Sequence, residues 1–179
     1  KVYSNPDEAK HMFLKMGEIV GDLLADQVIH GGADAVQIFD TWAGLLSPEI
    51  YQEFAKPATA KTIEVFREKV ESEVPIIHYA KGSGHLHSDI RSLDLDAISL
   101  DWRDDLAANR EKFGDKYAFQ GNLDPSLLHG STEMAKLATR KVLNAAGDKP
   151  GHIFNLGHGF APSARIECVE TVLREIVGE

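Results

Sequence analysis

The sequence predicts an α/β fold built on a parallel sheet, on three observations. Strand-like and helix-like stretches alternate five times along the 179 residues. The strand segments are short and apolar on both faces, as expected of a parallel sheet covered on both sides. The connections are long enough for right-handed βαβ crossovers. Two architectures satisfy these conditions: an open doubly wound sheet and part of a (β/α)8 barrel.

The elements follow in order. Asn5-Pro6-Asp7-Glu8 starts a helix, with Asn5 as N-cap, Pro6 in the first turn and two acids at the positive end of the helix dipole. Met12, Phe13, Met16, Ile19, Val20, Leu23, Leu24, Val28 and Ile29 recur at helical spacing, which assigns Met12 and Met16 to core packing. The helix stops at Gly31-Gly32. Ala35 to Thr41 is the first strand. Ser47 then caps a helix with Pro48 at its first position; it runs to about Val70 and is divided at Pro57. Val74 to Ala80 is the second strand, and His85 to Leu93 a helix. Ala97 to Trp102 is the third strand, followed by a helix from Asp104 to Phe113. Lys116 to Asn122 is the fourth strand, and a helix runs from about Ser131 to Ala146. His152 to Leu156 is the fifth strand, and the last helix spans about Ser163 to Val177.

Composition narrows the function classes. The chain is 43% apolar and 26% charged, enough for a real core. A net charge of -9 argues against a general nucleic-acid or membrane surface. A single cysteine, Cys168, allows neither a disulfide framework nor a Cys-rich zinc site and fits a reducing cytoplasmic setting. There is no apolar run of about 18 residues and no signal-peptide pattern. The chain opens on Lys1-Val2-Tyr3-Ser4-Asn5-Pro6 without an initiator Met, as expected of a piece of a longer protein.

Parallel α/β folds carry their chemistry at the C-terminal ends of the strands. Here those ends hold Phe39, Asp40 and Thr41; His78, Tyr79 and Lys81; Asp101 and Trp102; Asn122 and Asp124; Asn155 and His158. Converging on one rim, they predict a pocket of donors, acceptors and aromatic walls. His158 lies between Gly157 and Gly159, where the backbone turns sharply and a ligand can approach. Each residue also has a structural reading. Asp101 caps the next helix or pairs with Arg103. Asp124 before Pro125 is a helix cap. Asn122 holds a turn. Thr41 bonds its own backbone, and His158 is itself a turn residue. His85 and His87 do not share a helix face and read as surface. No H-E-x-x-H, G-x-S-x-G, G-x-G-x-x-G or P-loop pattern occurs, so the sequence assigns no metal ligand.

The ordered series Gln37-Ile38-Phe39-Asp40-Thr41-Trp42-Ala43-Gly44, Lys81-Gly82, Leu100-Asp101-Trp102, Gln120-Gly121-Asn122-Leu123-Asp124-Pro125 and Asn155-Leu156-Gly157-His158-Gly159 resembles the C-terminal half of uroporphyrinogen decarboxylases. The resemblance runs from about Pro6 to the end of the chain. It implies a (β/α)8 TIM barrel of which this chain, residues 1–179, holds about strands four to eight of a single domain. It implies removal of the four acetate carboxyl groups of uroporphyrinogen III to give coproporphyrinogen III, in a cytoplasmic homodimer without metal or organic cofactor. Thr41, His158 and Phe39 match the family's substrate-binding hydroxyl, histidine and aromatic wall. The family's aspartate, arginines and tyrosine belong to an N-terminal half without a counterpart here. No catalytic residue is therefore assigned, and this length alone is expected to be inactive. Five strands do not close a barrel of ordinary tilt. Two alternatives stand beside this reading. One is a zinc-dependent corrinoid or thiol methyltransferase, although His78-Tyr79-Ala80 has Ala where that group has a thiolate. The other is a non-enzymatic tetrapyrrole-binding module.

Overall fold

The computed structural model describes residues 2–71 and 73–178. Lys1, the first residue of the opening stretch, lies outside them. The elements run α1 (Pro6–Ile29), β1 (Val36–Phe39), a 3-10 turn (Ala43–Leu45), α2 (Pro48–Ile50), a π turn (Tyr51–Ala55), α3 (Lys56–Lys69) and β2 (Ile76–Tyr79). They continue with a 3-10 turn (Gly84–Leu86), α4 (His87–Ile90), β3 (Ala97–Ser99), α5 (Leu106–Phe113) and β4 (Ala118–Gln120). A 3-10 helix (Pro125–His129), α6 (Thr132–Ala146), β5 (His152–Ile153) and α7 (Ile166–Val177) complete the chain. The strands form one sheet in chain order, β1-β2-β3-β4-β5. β3 pairs parallel to β4 and β4 parallel to β5, with Phe119 opposite Ile98 on one side and His152 on the other.

The chain divides into two compact units, Lys1–His78 with Gly82–Asp96, and Tyr79–Lys81 with Ala97–Glu179. In the first unit α1 begins as the sequence predicts: Asn5 is the N-cap, its side chain accepting from the Glu8 backbone N–H. Of its predicted apolar stripe Leu24 is buried, but the methionines are not. Met12 and Met16 are 46% and 53% exposed, and the buried positions are Ala9, Gly17, Gly21, Leu24 and Ala25. The reason is a close crossing with α3. A Cβ on Gly21 would lie 2.7 Å from the Thr62 carbonyl, and one on Gly17 would overlap the Ala58 carbonyl. Thr62 closes the contact by donating its hydroxyl to the Gly17 carbonyl at 3.1 Å. Small residues let the backbones meet, and the large side chains flank the contact. Phe13, Met16, Val20 and Leu23 line a groove of about 500 Å³ with Ile38 and Phe39 of β1.

The expected division at Pro57 takes a different form. The chain stays helical from Pro48 to Lys69 and relaxes into a π turn just before the proline. The Lys56 N–H reaches back five residues to the Tyr51 carbonyl. Widening the helix there accommodates a ring that cannot donate a backbone hydrogen bond.

The second unit is anchored by Leu123, Leu128, Ala135, Cys168 and Val172, with Leu156 packed alongside. Asp105 and Ser131 cap α5 and α6 through the N–H groups of Ala108 and Met134. β3, β4 and β5 are shorter than predicted, although backbone hydrogen bonds continue beyond them, from Leu100 N–H to the Gln120 carbonyl and from Gly121 N–H to the Ile153 carbonyl. Beyond β4 and β5 the two segments stay paired through a parallel bridge between Leu123 and Leu156. The expectation that both strand faces are covered holds for β3, whose three residues are all buried. It fails at Phe39 of β1 and Ile153 of β5, 70% and 43% exposed. Among the described residues no helix is long and apolar enough to cross a membrane.

Candidate functional site

The strand-end residues fall into two groups, one in each compact unit. In the first unit β1 delivers Phe39, Asp40 and Thr41 in succession. Phe39 projects outward, while Asp40 and Thr41 are half-buried. Among the described residues the Thr41 hydroxyl has no hydrogen-bond partner, so it is not spent on its own backbone. Asp40 turns one carboxylate oxygen, Oδ2, inward toward His78 of β2, which has no exposed surface. Asp40 Oδ2 and His78 Nε2 are 3.9 Å apart, an ion-pair distance but too long for a hydrogen bond. Both His78 ring nitrogens and the hydroxyl of buried Tyr51 also lack partners. Burial acts on all three: it pushes the Asp40 carboxyl up, the Tyr51 phenol well above its usual value, and the His78 imidazole down to about 4. His78 is therefore a neutral imidazole at physiological pH.

The second unit holds His158. Its loop is fixed by backbone contact: Gly157 N–H donates to the Leu123 carbonyl at 2.7 Å. A Cβ on Gly157 would come within 2.9 Å of Asp101 C and Trp102 Cα, so only glycine fits. His158 is packed between aromatic neighbours. Tyr79 stacks on it at 5.9 Å and 13°, and Trp102 at 6.4 Å and 29°. The Tyr79 hydroxyl lies 2.8 Å from the Gly157 carbonyl and 3.0 Å from His158 Nδ1. Burial foremost, together with the Asp101 carboxylate and against the opposing Arg103 charge, pushes that phenol up to about 12. Arg103 in turn lies over Trp102, 4.6 Å from its ring.

The other strand-end residues of this unit adopt their structural readings. Asp101 is fully buried and pairs with Arg103, accepting from its backbone N–H at 2.7 Å as well as from its guanidinium. Asn122 donates to the carbonyls of Asp101 and Asp104, both at 2.8 Å, and so holds the turn after β4. Asp124 caps the 3-10 helix through the Ser126 N–H. Asn155 accepts from the Leu156 N–H within its own turn. In the first unit His85 is a surface residue whose ring contacts the Leu46 carbonyl at 2.9 Å.

Sequence reasoning left Tyr79 without a role, although it makes the most direct side-chain contact to His158. No spacing rule links residues 79 positions apart. The available signal was only that both stand at strand ends. Among the described residues no three His, Cys, Asp or Glu side chains cluster to hold a metal ion. Cys168 is buried in α7 with its thiol directed at the Gly130 carbonyl, 3.6 Å away.

Comparison with known proteins gives the family of the chain. Residues 1–177 match the family described as Uroporphyrinogen decarboxylase (URO-D). The chain belongs to the uroporphyrinogen decarboxylase family. Relatives named uroporphyrinogen decarboxylase occur in Magnetococcus marinus, 39% identical over 181 residues, and in Alcanivorax borkumensis, 38% identical over 177 residues. These alignments cover 99% and 98% of this chain and 50% of each relative. A third, from Chloroherpeton thalassium, is 36% identical over 175 residues, covering 96% of this chain and 49% of the relative. The chain thus spans about half the length of the curated relatives it matches. The family's fold is the (β/α)8 barrel, and the five-stranded sheet in chain order with intervening helices corresponds to part of it. Membership in this family does not favour the zinc methyltransferase reading.

Proposed function

We propose that the chain serves the decarboxylation of uroporphyrinogen III to coproporphyrinogen III, with Thr41, Phe39 and His158 as substrate-binding residues. The carrying observation is family membership over nearly the whole chain, joined to relatives that bear the enzyme's name. In each of four rounds a C–C bond to an acetate carboxylate breaks, carbon dioxide leaves, and the electron pair takes up a proton at the remaining carbon. The pyrrole ring, protonated at a ring carbon, first accepts that electron pair, and it releases the ring-carbon proton once the remaining carbon has been protonated. The protein's task is then orientation and charge placement. The exposed ring of Phe39 offers an apolar wall and the unpartnered Thr41 hydroxyl a neutral donor to a carboxylate. His158, when protonated, adds a charge-assisted bond to another. A cytoplasmic homodimer is part of the same proposal.

A chimaera tests it. This chain replaces the matching half of the Magnetococcus marinus relative, and product is followed anaerobically with uroporphyrinogen III. Stepwise appearance of coproporphyrinogen III is the expected result. A folded chimaera that binds no tetrapyrrole and releases no carbon dioxide would overturn the assignment. The chain by itself is expected to show no turnover in the same assay.

A further inference from the structure

We infer that Tyr79 is a positioning residue that holds neutral His158 in the tautomer protonated at Nδ1, so that Nε2 meets the ligand as a hydrogen-bond acceptor. This deepens the proposed function and rests on it for the identity of the ligand, not for the tautomer. The argument is a count of protons. Three atoms meet: the Tyr79 hydroxyl, the Gly157 carbonyl at 2.8 Å and His158 Nδ1 at 3.0 Å. The carbonyl only accepts. The phenol has one proton to give, and its pKa of about 12 keeps that proton in place. If the phenol donated to Nδ1, two oxygens would face each other at 2.8 Å with no hydrogen between them. If it donates to Gly157, its own oxygen accepts from an Nδ1–H, and all three atoms are satisfied with two protons.

Two aromatic side chains border the ring. Tyr79 stacks almost parallel to it, and Trp102 lies against it with the Arg103 guanidinium over the indole. The charged groups acting on Tyr79 are Asp101, Arg103 and Asp104. Fixing Nδ1–H fixes the other nitrogen as a lone pair. Neutral His158 therefore suits an N–H donor, the group that each pyrrole of a tetrapyrrole presents, and repels a carboxylate. Only the imidazolium, with both nitrogens protonated, grips an acetate or propionate. One residue thus reads two parts of the same ligand according to its charge.

Nitrogen-15 NMR of the histidine-labelled chain at pH 8 decides the point, since couplings to ring protons report which nitrogen carries hydrogen. The expected wild-type spectrum shows a protonated Nδ1 and a bare Nε2. Tyr79→Phe removes the accepting oxygen and should shift the tautomer ratio about fivefold toward Nε2–H, the equilibrium equivalent of one ordinary hydrogen bond. An Nε2-protonated wild type, or a ratio unchanged in a folded Tyr79→Phe, would overturn the inference. Should that variant not fold, the wild-type spectrum alone is decisive. Adding uroporphyrinogen III anaerobically to the labelled chimaera should move the Nε2 resonance. An Nδ1-protonated ring together with a folded chimaera that binds no tetrapyrrole would count against the decarboxylase reading and leave the tautomer standing.

Discussion

His78→Phe tests how a buried imidazole couples this fold to pH. His78 is fully buried, and among the described residues neither ring nitrogen has a hydrogen-bond partner. Burial lowers its pKa to about 4 from an ordinary value of 6.5. In the unfolded chain the ring titrates near 6.5. Above that pH both states are neutral and His78 adds no pH dependence. As pH falls below it, the unfolded state takes up a proton that the folded state refuses, so stability falls until pH approaches 4. At about 1.4 kcal/mol per pKa unit, the whole loss is about 3 kcal/mol. Asp40 acts in the opposite sense, because its raised pKa makes the folded state take up a proton first as pH falls. The difference between wild type and His78→Phe isolates the imidazole. At pH 7 the substitution removes two unpaired buried nitrogens, worth about 1–3 kcal/mol, against an overpacking cost of similar size. Between pH 7 and pH 4 the variant should gain about 3 kcal/mol on wild type in urea unfolding followed by circular dichroism. A difference flat to about 0.5 kcal/mol over that range would refute the reasoning.

Other substitutions probe the remaining sites. Gly157→Ala drives a methyl into the Trp102 backbone and should cost about 3 kcal/mol or more, displacing His158 from Tyr79; equal urea midpoints for the two proteins would contradict the packing. Gly21→Ala should loosen the α1–α3 crossing by about 1–3 kcal/mol, measured the same way, because the clash is with a backbone carbonyl and a β-branched side chain. Asp105→Ala removes the α5 cap and should cost about 1 kcal/mol. In the chimaera, His158→Ala should raise KM for uroporphyrinogen III or change the order of acetate removal, whereas unchanged kinetics for every intermediate would exclude a substrate role.

Much of this molecule was legible in its residues. Asn5 and Ser47, short polar side chains just ahead of a proline, were readable as caps, and the structure uses both; Asp105 and Ser131 also cap helices, although the sequence reading assigned neither that role. The alternation of elements follows from local periodicity and turn residues, which act over a few neighbours. Asp101 with Arg103, two residues apart, was readable for the same reason. Helix burial was not. Periodicity marks large apolar side chains as the inward stripe of α1, yet Gly17 and Gly21 meet the α3 backbone while Met12 and Met16 stay about half exposed. Which stripe turns inward depends on how closely a second backbone approaches, and α1 carries no record of α3.

The same division runs through the candidate site. The sequence by itself determined the residue types at the strand ends, the glycines that let His158 stand in a tight turn, and membership of a family through motifs in fixed order. Only tertiary structure decided what those residues do to one another. It brought Tyr79 to His158, took Asp101 and Asn122 into the turn framework, and buried His78 with no hydrogen-bond partner among the described residues. Local preference is set by covalent neighbours and survives in any context. Proton location, tautomer and pKa are set by atoms within a few ångströms, and folding brings those atoms together from distant parts of the chain.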